Sequence, residues 1–311
     1  MLLCRRLRES GEAVVAVARP GSPALATRGR ALAELGCTLV EADLAEPQSV
    51  QELAARLRPG RIFHLAAAHH STEAGRNTPD VWRAMVATNF VSTEILARAA
   101  ADRGTGGALV YASSSQIWTA REPHQRVDET TRAEPATFYG HTKLWAADLL
   151  RQYREHYGLA ASVAILFNHE SALRSPGFVT RKISMAAARA ASGDPQKLQL
   201  LNIGAAVDWQ AASDVVDALL LMAGATRADD YVIASGTAHT VRDFADAAYR
   251  HVGLDWREFV VAARDEPGNA LIGLPGKAQR ELKWRPRIHF DALVASMVDA
   301  DVARLRGGVP E

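Results

Sequence analysis

Three observations predict an α/β protein built on a doubly wound parallel sheet. Its strands read as apolar runs, amphipathic helical segments separate them, and the rhythm changes near residue 170, where a smaller C-terminal unit intertwines with the first. A strand covered by helices on both faces loses its polar alternation. Runs of this kind are AVVAVA (13–18), CTLVEAD (37–43), RIFHLAA (61–67), ALVYASS (108–114) and SVAILFN (162–168).

The N-terminal segment MLLCRRLRES reads as a helix with a solvated arginine face that stops at Gly11. Its basic patch and the following AVVAVA also share the grammar of a signal peptide. The apolar run is too short for that, and ESGE before it is a helix end, so helix, turn and buried strand is preferred. Helical patterns follow at 23–36, 47–57, 79–103 and 139–157. Beyond residue 170, the segment 172–204 reads as loop, helix and short strand. DWQAASDVVDALLLMAG (208–224) reads as a helix, DYVIASG (230–236) as a strand, and TVRDFADAAYRHVG (240–253) as a helix stopped by Gly253. The division expected from this rhythm is a dinucleotide-binding domain at 1–168 plus 205–236 and a substrate domain at 169–204 plus 237–311. Ligands of such sheets bind beyond the carboxyl ends of the strands.

A dinucleotide fold normally opens with a strand and a G-x-G-x-x-G or G-x-x-G-x-x-G turn. The chain contains no such turn, and MLLCRRLRES resembles the helix that follows one. The expectation is a fold entered after its first strand and phosphate loop, through genuine loss or a misplaced start codon.

The 311 residues and 48% hydrophobic content suit a substantial core. Lys plus Arg is 36 against 35 for Asp plus Glu, so nothing calls for nucleic acid or an anionic membrane. No stretch is long enough to span a bilayer. The only cysteines, Cys4 and Cys37, lack metal-ligand spacing and exclude a disulfide framework, which fits a reducing cytoplasm. Cys37 reads as a small core residue. No acid or cysteine stands at ligand spacing to His69 and His70, so no metal is expected. His64 and His239 read as hydrogen-bonded fold residues, and Trp82, Trp145, Trp209, Trp256 and Trp284 as core or edge packing.

The chemistry concentrates in ASSSQIW (112–118) and FYGHTK (138–143). Tyr139 and Lys143, four apart at a helix start, can share one face. An ammonium nearby lowers a phenol's pKa and makes it usable as acid or base. Ser114 ends a strand, where its hydroxyl can hold a substrate oxygen beside that phenol. Such a pair is also a common exposed helix contact; the SSS strand end at the right interval favours the catalytic reading.

Further stretches carry a resemblance: ILFNHES (165–171), FVTRKIS (178–184), Asp208–Trp209, DYVIASGTAHTVRDFADAAYRHVG (230–253) and KAQRELKWRPRIHFDALVASMVDAD (277–301). With Tyr139, Lys143 and Asn89, they make the chain resemble the extended short-chain dehydrogenase/reductases, closest to the GDP-mannose 4,6-dehydratase family. The resemblance implies a Rossmann-type fold and NADP, with NAD possible. Ser114, Tyr139 and Lys143 become catalytic hydroxyl, acid/base and activating lysine. Arg19 suits the 2′-phosphate of NADP. Asp43 and Leu44 would flank the adenine, Ala66 and Ala67 line the cofactor groove, and Tyr139 and Lys143 also contact the cofactor. Asn168, Val179 and Lys182 would contact the sugar nucleotide, GDP-linked by the same resemblance, and Arg264 its diphosphate. His169 and Glu170 stand either with that site or in a buried network behind it. A homodimer or homotetramer is implied through helices resembling 79–103 and 139–157.

The departures matter as much. The family carries glutamate where Gln116 stands, as the base that removes the sugar C5 proton, and an amide cannot do that. It carries arginine at Val207, tyrosine at Trp118 and glutamate at Pro267. The leading expectation is oxidation at sugar C4 followed by dehydration to a 4-keto-6-deoxy sugar nucleotide. A 4-epimerase or 4-keto reductase, and a non-catalytic or truncated paralogue, remain the alternatives.

Overall fold

The computed structural model describes residues 1–69, 78–102, 107–194 and 196–307. In chain order its elements are α1 (Leu2–Glu9), β1 (Val15–Ala18), α2 (Pro23–Glu34), β2 (Thr38–Glu41), α3 (Pro47–Arg56), β3 (Arg61–His64), α4 (Pro79–Val86), α5 (Ser92–Asp102), β4 (Ala108–Ser114), β5 (Gln125–Val127) and α6 (Phe138–Tyr157). Then come β6 (Ala161–Leu166), β7 (Asn168–Glu170), α7 (Val179–Ala191), β8 (Leu198–Asn202), β9 (Ala206–Ala211), α8 (Ala212–Ala223), β10 (Asp230–Ile233), β11 (Ala238–Thr240) and α9 (Val241–His251). The chain closes with β12 (Val260–Arg264), β13 (Leu271–Gly273), α10 (Gly276–Glu281) and α11 (Phe290–Gly307). The chain divides into two compact units: 1–118, 132–165 and 216–231 form one, and 119–131, 166–215 and 232–311 the other.

In the first unit β1 and β2 pair in parallel, with Ala18 opposite Glu41. A four-stranded sheet has the order β10-β6-β4-β3, and β3 and β4 pair in parallel with His64 opposite Tyr111. Among the described residues no ladder joins the β1–β2 pair to that sheet. Leu109, Val110 and Tyr111 on β4 are fully buried, as the apolar run predicts. Leu3 and Leu7 of α1 are buried with Val216 of α8, and Phe63 and Leu220 pack around them. Local signals fix the helix ends. Ser22 accepts from Leu25 N with Pro23 in the first turn, and Gly158, at φ 65°, ends α6 in the left-handed conformation that glycine adopts without strain.

In the second unit β9 is central, parallel to β7 and antiparallel to β11. Trp209, Phe244, Tyr249, Val294 and Met297 belong to its core, formed where α7, α9 and α11 pack. A capping box at Thr240 and Asp243 starts α9.

Three expectations need correction. The segment 208–224 is not one helix: Asp208, Trp209 and Gln210 lie in β9, and α8 begins at Ala212. Asp208 is buried there because its carboxylate accepts from Ser235 N, Ser235 Oγ, Gly236 N and Gly273 N. The helix expected over 79–103 is α4 and α5 joined by a π turn at Ala87–Val91. The strand at 162–168 ends at Leu166, and Asn168 opens β7. Of the two readings offered for them, core or edge packing, Trp82 and Trp145 take the edge: they are 45% and 42% exposed and both pack against Phe138, at ring-centroid distances of 5.3 and 6.1 Å. No helix among the described residues is long and apolar enough to cross a membrane.

Candidate active site

The parallel pairings decide where the candidates lie. Because β1 and β2 run together, Arg19 and Asp43 leave the same carboxyl end. Because β3 and β4 do, Ala66 and Ala67 leave the same end as Ser114. Arg19, Ala66 and Ala67 are exposed. Asp43 is occupied locally: Oδ1 accepts from Ala45 N at 2.9 Å, and its own N–H donates to Ser49 Oγ at 3.2 Å. Leu44 follows it, half-buried, ahead of α3.

Thr137 caps α6, accepting from Gly140 N at 3.0 Å, and so sets Tyr139 in the first turn. A β-carbon on Gly140 would overlap the Gln116 carbonyl oxygen and lie 3.0 Å from Pro135 Cβ, so only glycine lets the helix close on that turn. Ser114, at the end of β4, interacts with the Tyr139 phenol and lowers its pKa. One turn on, Lys143 is buried, and its Nζ donates to Ala112 O at 2.8 Å. The ammonium lies 4.7 Å from the Tyr111 ring centroid and 5.7 Å from that of Tyr139. Burial pushes Tyr139 up to about 12, against the lowering effect of Ser114, and pulls Lys143 down to about 7. The lowering of the phenol expected from the lysine is not seen: desolvation dominates both groups, and what lowers Tyr139 is Ser114.

Gln116 sits in a short 3-10 turn at Ser115–Ile117, where Ser114 Oγ accepts from its backbone N at 3.2 Å. Its Oε1 accepts from Thr137 Oγ1 at 3.0 Å. An amide so held donates through Nε2 and takes up no proton. The His69 ring stands edge-on to Tyr139, centroids 4.7 Å apart; His70 lies outside the described residues.

Sequence reading named Asn89 but not how it supports this group. Asn89 is fully buried in the π turn; its Oδ1 accepts from Ala68 N at 2.9 Å. Its Nδ2 donates to Ala68 O and to Thr142 Oγ1, both at 3.0 Å. Tyr111 OH donates to Asn89 O at 3.2 Å. One residue thus pins the loop before His69 to the helix of Tyr139 and Lys143. The threonine two residues before Tyr139 was the available signal for the cap. His64, buried and 3.1 Å from Ser92 Oγ, is pulled down to about 3 by burial and then by Lys143, consistent with a fold role.

In the second unit Asn168 is exposed at the start of β7, Val179 opens α7, and Lys182 donates its backbone N–H to Phe178 O. Arg264 is exposed at the end of β12, where its carbonyl accepts from Ile203 N. Glu170 is buried, accepting from Thr180 Oγ1 at 2.9 Å and paired with Arg174 at 3.2 Å. His169 Nδ1 lies 3.0 Å from Phe167 O. Among the described residues no cluster suits a metal ion.

A strand-end serine, a tyrosine and lysine one helical turn apart, and a parallel α/β sheet define a protein of the extended short-chain dehydrogenase/reductase class. A family model described as GDP-mannose 4,6 dehydratase matches residues 1–297. GDP-mannose 4,6 dehydratase 1 of Arabidopsis thaliana is 36% identical over 265 residues, covering 84% of this chain and 73% of the relative. The chain belongs to the GDP-mannose 4,6 dehydratase family. Among solved structures, a putative epimerase from Burkholderia cenocepacia J2315 is 25% identical with a TM-score of 0.78, over 97% of this chain and 94% of the other. RMD from Pseudomonas aeruginosa, complexed with NADPH, is 22% identical with a TM-score of 0.75, over 94% and 99%.

Proposed function

We propose that this chain acts on a GDP-linked sugar as an NADP-dependent enzyme of the 4,6-dehydratase type. The observation that carries this reading is Tyr139 in the first turn of α6, facing Ser114 at the end of β4 and one turn from buried Lys143. Tyr139 takes the proton of the sugar C4 hydroxyl, Ser114 holds that oxygen, and Lys143 stabilises the phenolate. The residues present suit a dinucleotide at its nicotinamide and adenosine ends. Lys143 Nζ has donors beyond the one spent on Ala112, Ala66 and Ala67 are small and exposed, and the cation of Arg19 is exposed at the end of β1. When bound, the nicotinamide supplies hydride acceptance at C4 and hydride return. NAD is the alternative cofactor; Asp43 and Leu44 lie by the adenine in this reading.

Asn168, Val179 and Lys182 contact the nucleotide sugar and Arg264 its diphosphate. Residues 1–168 plus 205–236 serve the cofactor, and 169–204 plus 237–311 the substrate. The chain works in the cytoplasm as a homodimer or homotetramer. Support for the association is the exposed aromatic face of Trp82 and Trp145, beside an apolar groove that includes Pro79, Val86 and Val91.

A second reading is favoured by one contact. Gln116, anchored on Thr137, cannot remove the C5 proton, whereas 4-epimerisation and 4-keto reduction need Tyr139, Lys143 and Ser114 alone. Incubating the chain with GDP-mannose and NADP, with mass analysis of the product, separates them. Loss of water supports the dehydratase. A C4 epimer, or reduction of a supplied 4-keto sugar nucleotide with NADPH, supports the second reading. Unchanged substrates in both assays would remove both.

A further inference from the structure

A C6 hydroxyl stands β to a C4 ketone, so water leaves the oxidised sugar only when a base takes the proton of C5, the carbon between them. Gln116 cannot be that base: its Oε1 is spent on Thr137 Oγ1, and an amide takes up no proton. C4 and C5 are one single bond apart, about 1.5 Å. The base therefore has to stand beside the Tyr139 phenol.

The ionisable side chains around Tyr139 differ in what they are free to do. Lys143 is buried, with Nζ held on Ala112 O at 2.8 Å. His64 is buried against Ser92 Oγ. His141 follows Tyr139 by two positions on α6, so it is turned by about 200°, and it packs against Trp145 with centroids 6.0 Å apart. His69 is exposed, and its ring meets that of Tyr139 edge-on at 4.7 Å. Because β3 and β4 are parallel, the segment that carries His69 leaves the sheet at the end where Ser114 stands. The residue before it is held twice: Ala68 N donates to Asn89 Oδ1 at 2.9 Å, and Ala68 O accepts from Asn89 Nδ2 at 3.0 Å. Asn89 also donates to Thr142 Oγ1 on α6. One buried side chain thus ties the backbone leading into His69 to the helix of Tyr139.

We propose that His69 is the acid/base residue that removes the C5 proton of a 4-keto sugar nucleotide and delivers it to the departing C6 hydroxyl. The neutral imidazole takes the C5 proton. The electron pair of the C5–H bond becomes the C5=C6 double bond, and the C6–O bond breaks. The leaving hydroxyl takes the proton from the imidazolium. One water is lost and His69 is neutral again. The proposal rests on the dehydratase reading for its substrate, but the step itself moves no hydride.

The test gives the intact chain a 4-keto-6-deoxy GDP-sugar in deuterium oxide, with NADP and no reduced cofactor, so that nothing is oxidised or reduced. The ketone makes the C5 proton acidic, and a base on C5 exchanges it for deuterium. NMR at C5 reads this against the background without protein. The intact chain should exchange C5 well above background. His69→Gln keeps a polar side chain without a proton acceptor, and His69→Ala removes the ring. Each should lose ~10²–10⁴-fold in exchange rate at saturating sugar nucleotide. Imidazole in the buffer should restore exchange to the alanine variant, which separates loss of the base from loss of the fold. The proposal is overturned by background exchange in the intact chain or by undiminished exchange in either variant. A loss that vanishes at saturation, or that imidazole leaves untouched, overturns it as well. Because no C4 oxidation is run, a failure to turn over GDP-mannose counts against the dehydratase reading and is told apart from a failure here.

Discussion

Thr137 donates its hydroxyl hydrogen to Gln116 Oε1 at 3.0 Å while accepting from Gly140 N, so one threonine joins the strand-end turn to the cap of α6. A glutamate at 116 can accept the same hydrogen bond, so Gln116→Glu should leave the cap intact while adding a proton acceptor. If the dehydratase step is limited by that missing base, its rate should rise by ~10²–10⁴-fold, measured as formation of the 4-keto-6-deoxy product. No change, with Tyr139→Phe still abolishing turnover at C4, would mark the glutamine as a change of reaction.

Removing the threonine tests the other side of the contact. Thr137→Val deletes the acceptor for Gly140 N and the donor to Gln116, and should cost about 1 kcal/mol in urea unfolding. Turnover should fall further than that loss alone explains, because Tyr139 sits in the turn released.

Gly140→Ala should be worse. The added carbon has nowhere to go between the Gln116 carbonyl and Pro135, so α6 must back away from the turn. We expect a loss of about 1–3 kcal/mol by denaturant unfolding and little remaining activity. Wild-type stability would show that the helix start is looser than described.

Lys143 makes stability depend on pH in a defined window. Its pKa is about 7 in the folded chain against an ordinary 10.5, so above pH 7 the unfolded chain holds more protons. Stability from this group therefore rises with pH from about 7 to 10.5. Tyr139, raised from 10 to about 12, acts oppositely, and only above pH 10. The unfolding free energy of the wild type minus that of Lys143→Met should grow between pH 7 and 9.5. A flat difference would mean the lysine keeps its proton inside the fold.

Asn89→Leu should strand the N–H and carbonyl of Ala68 and the hydroxyl of Thr142. Each unsatisfied buried group costs ~1–3 kcal/mol, so a large loss in Tm is expected. Asn89→Asp should recover part of it, since one oxygen still accepts from Ala68 N.

The fold was legible where the causes are local. Leu109, Val110 and Tyr111 are apolar because helices cover β4, and Gly158 ends α6 because its φ is positive. β9 was not legible, because what buries Asp208 and Gln210 is supplied from distant positions: Ser235, Gly236, Gly273 and the carbonyl of Ile233. For Trp82 the choice between core and edge was open for a related reason: an apolar helix stripe has the same composition whether or not its own chain covers it. Within the candidate site, the spacing of Ser114, Tyr139 and Lys143 follows from strand and helix geometry, whereas the bonds of Gln116 to Thr137 and of Asn89 to Ala68 cross between elements.

The π turn at Ala87–Val91 has a consequence for how this protein could fail. A wide turn holds one residue more than a regular helix needs, so deleting a residue there would let α4 and α5 fuse into a continuous rod. The backbone would lose nothing by it. Everything before the deletion, however, would swing by about 100° about the helix axis relative to everything after it. Such a variant would have normal helix content by circular dichroism while Asn89 or the Trp82 face had lost its phase. Damage at this point would be silent to any assay that counts helix and visible only to one that asks which way the helix faces.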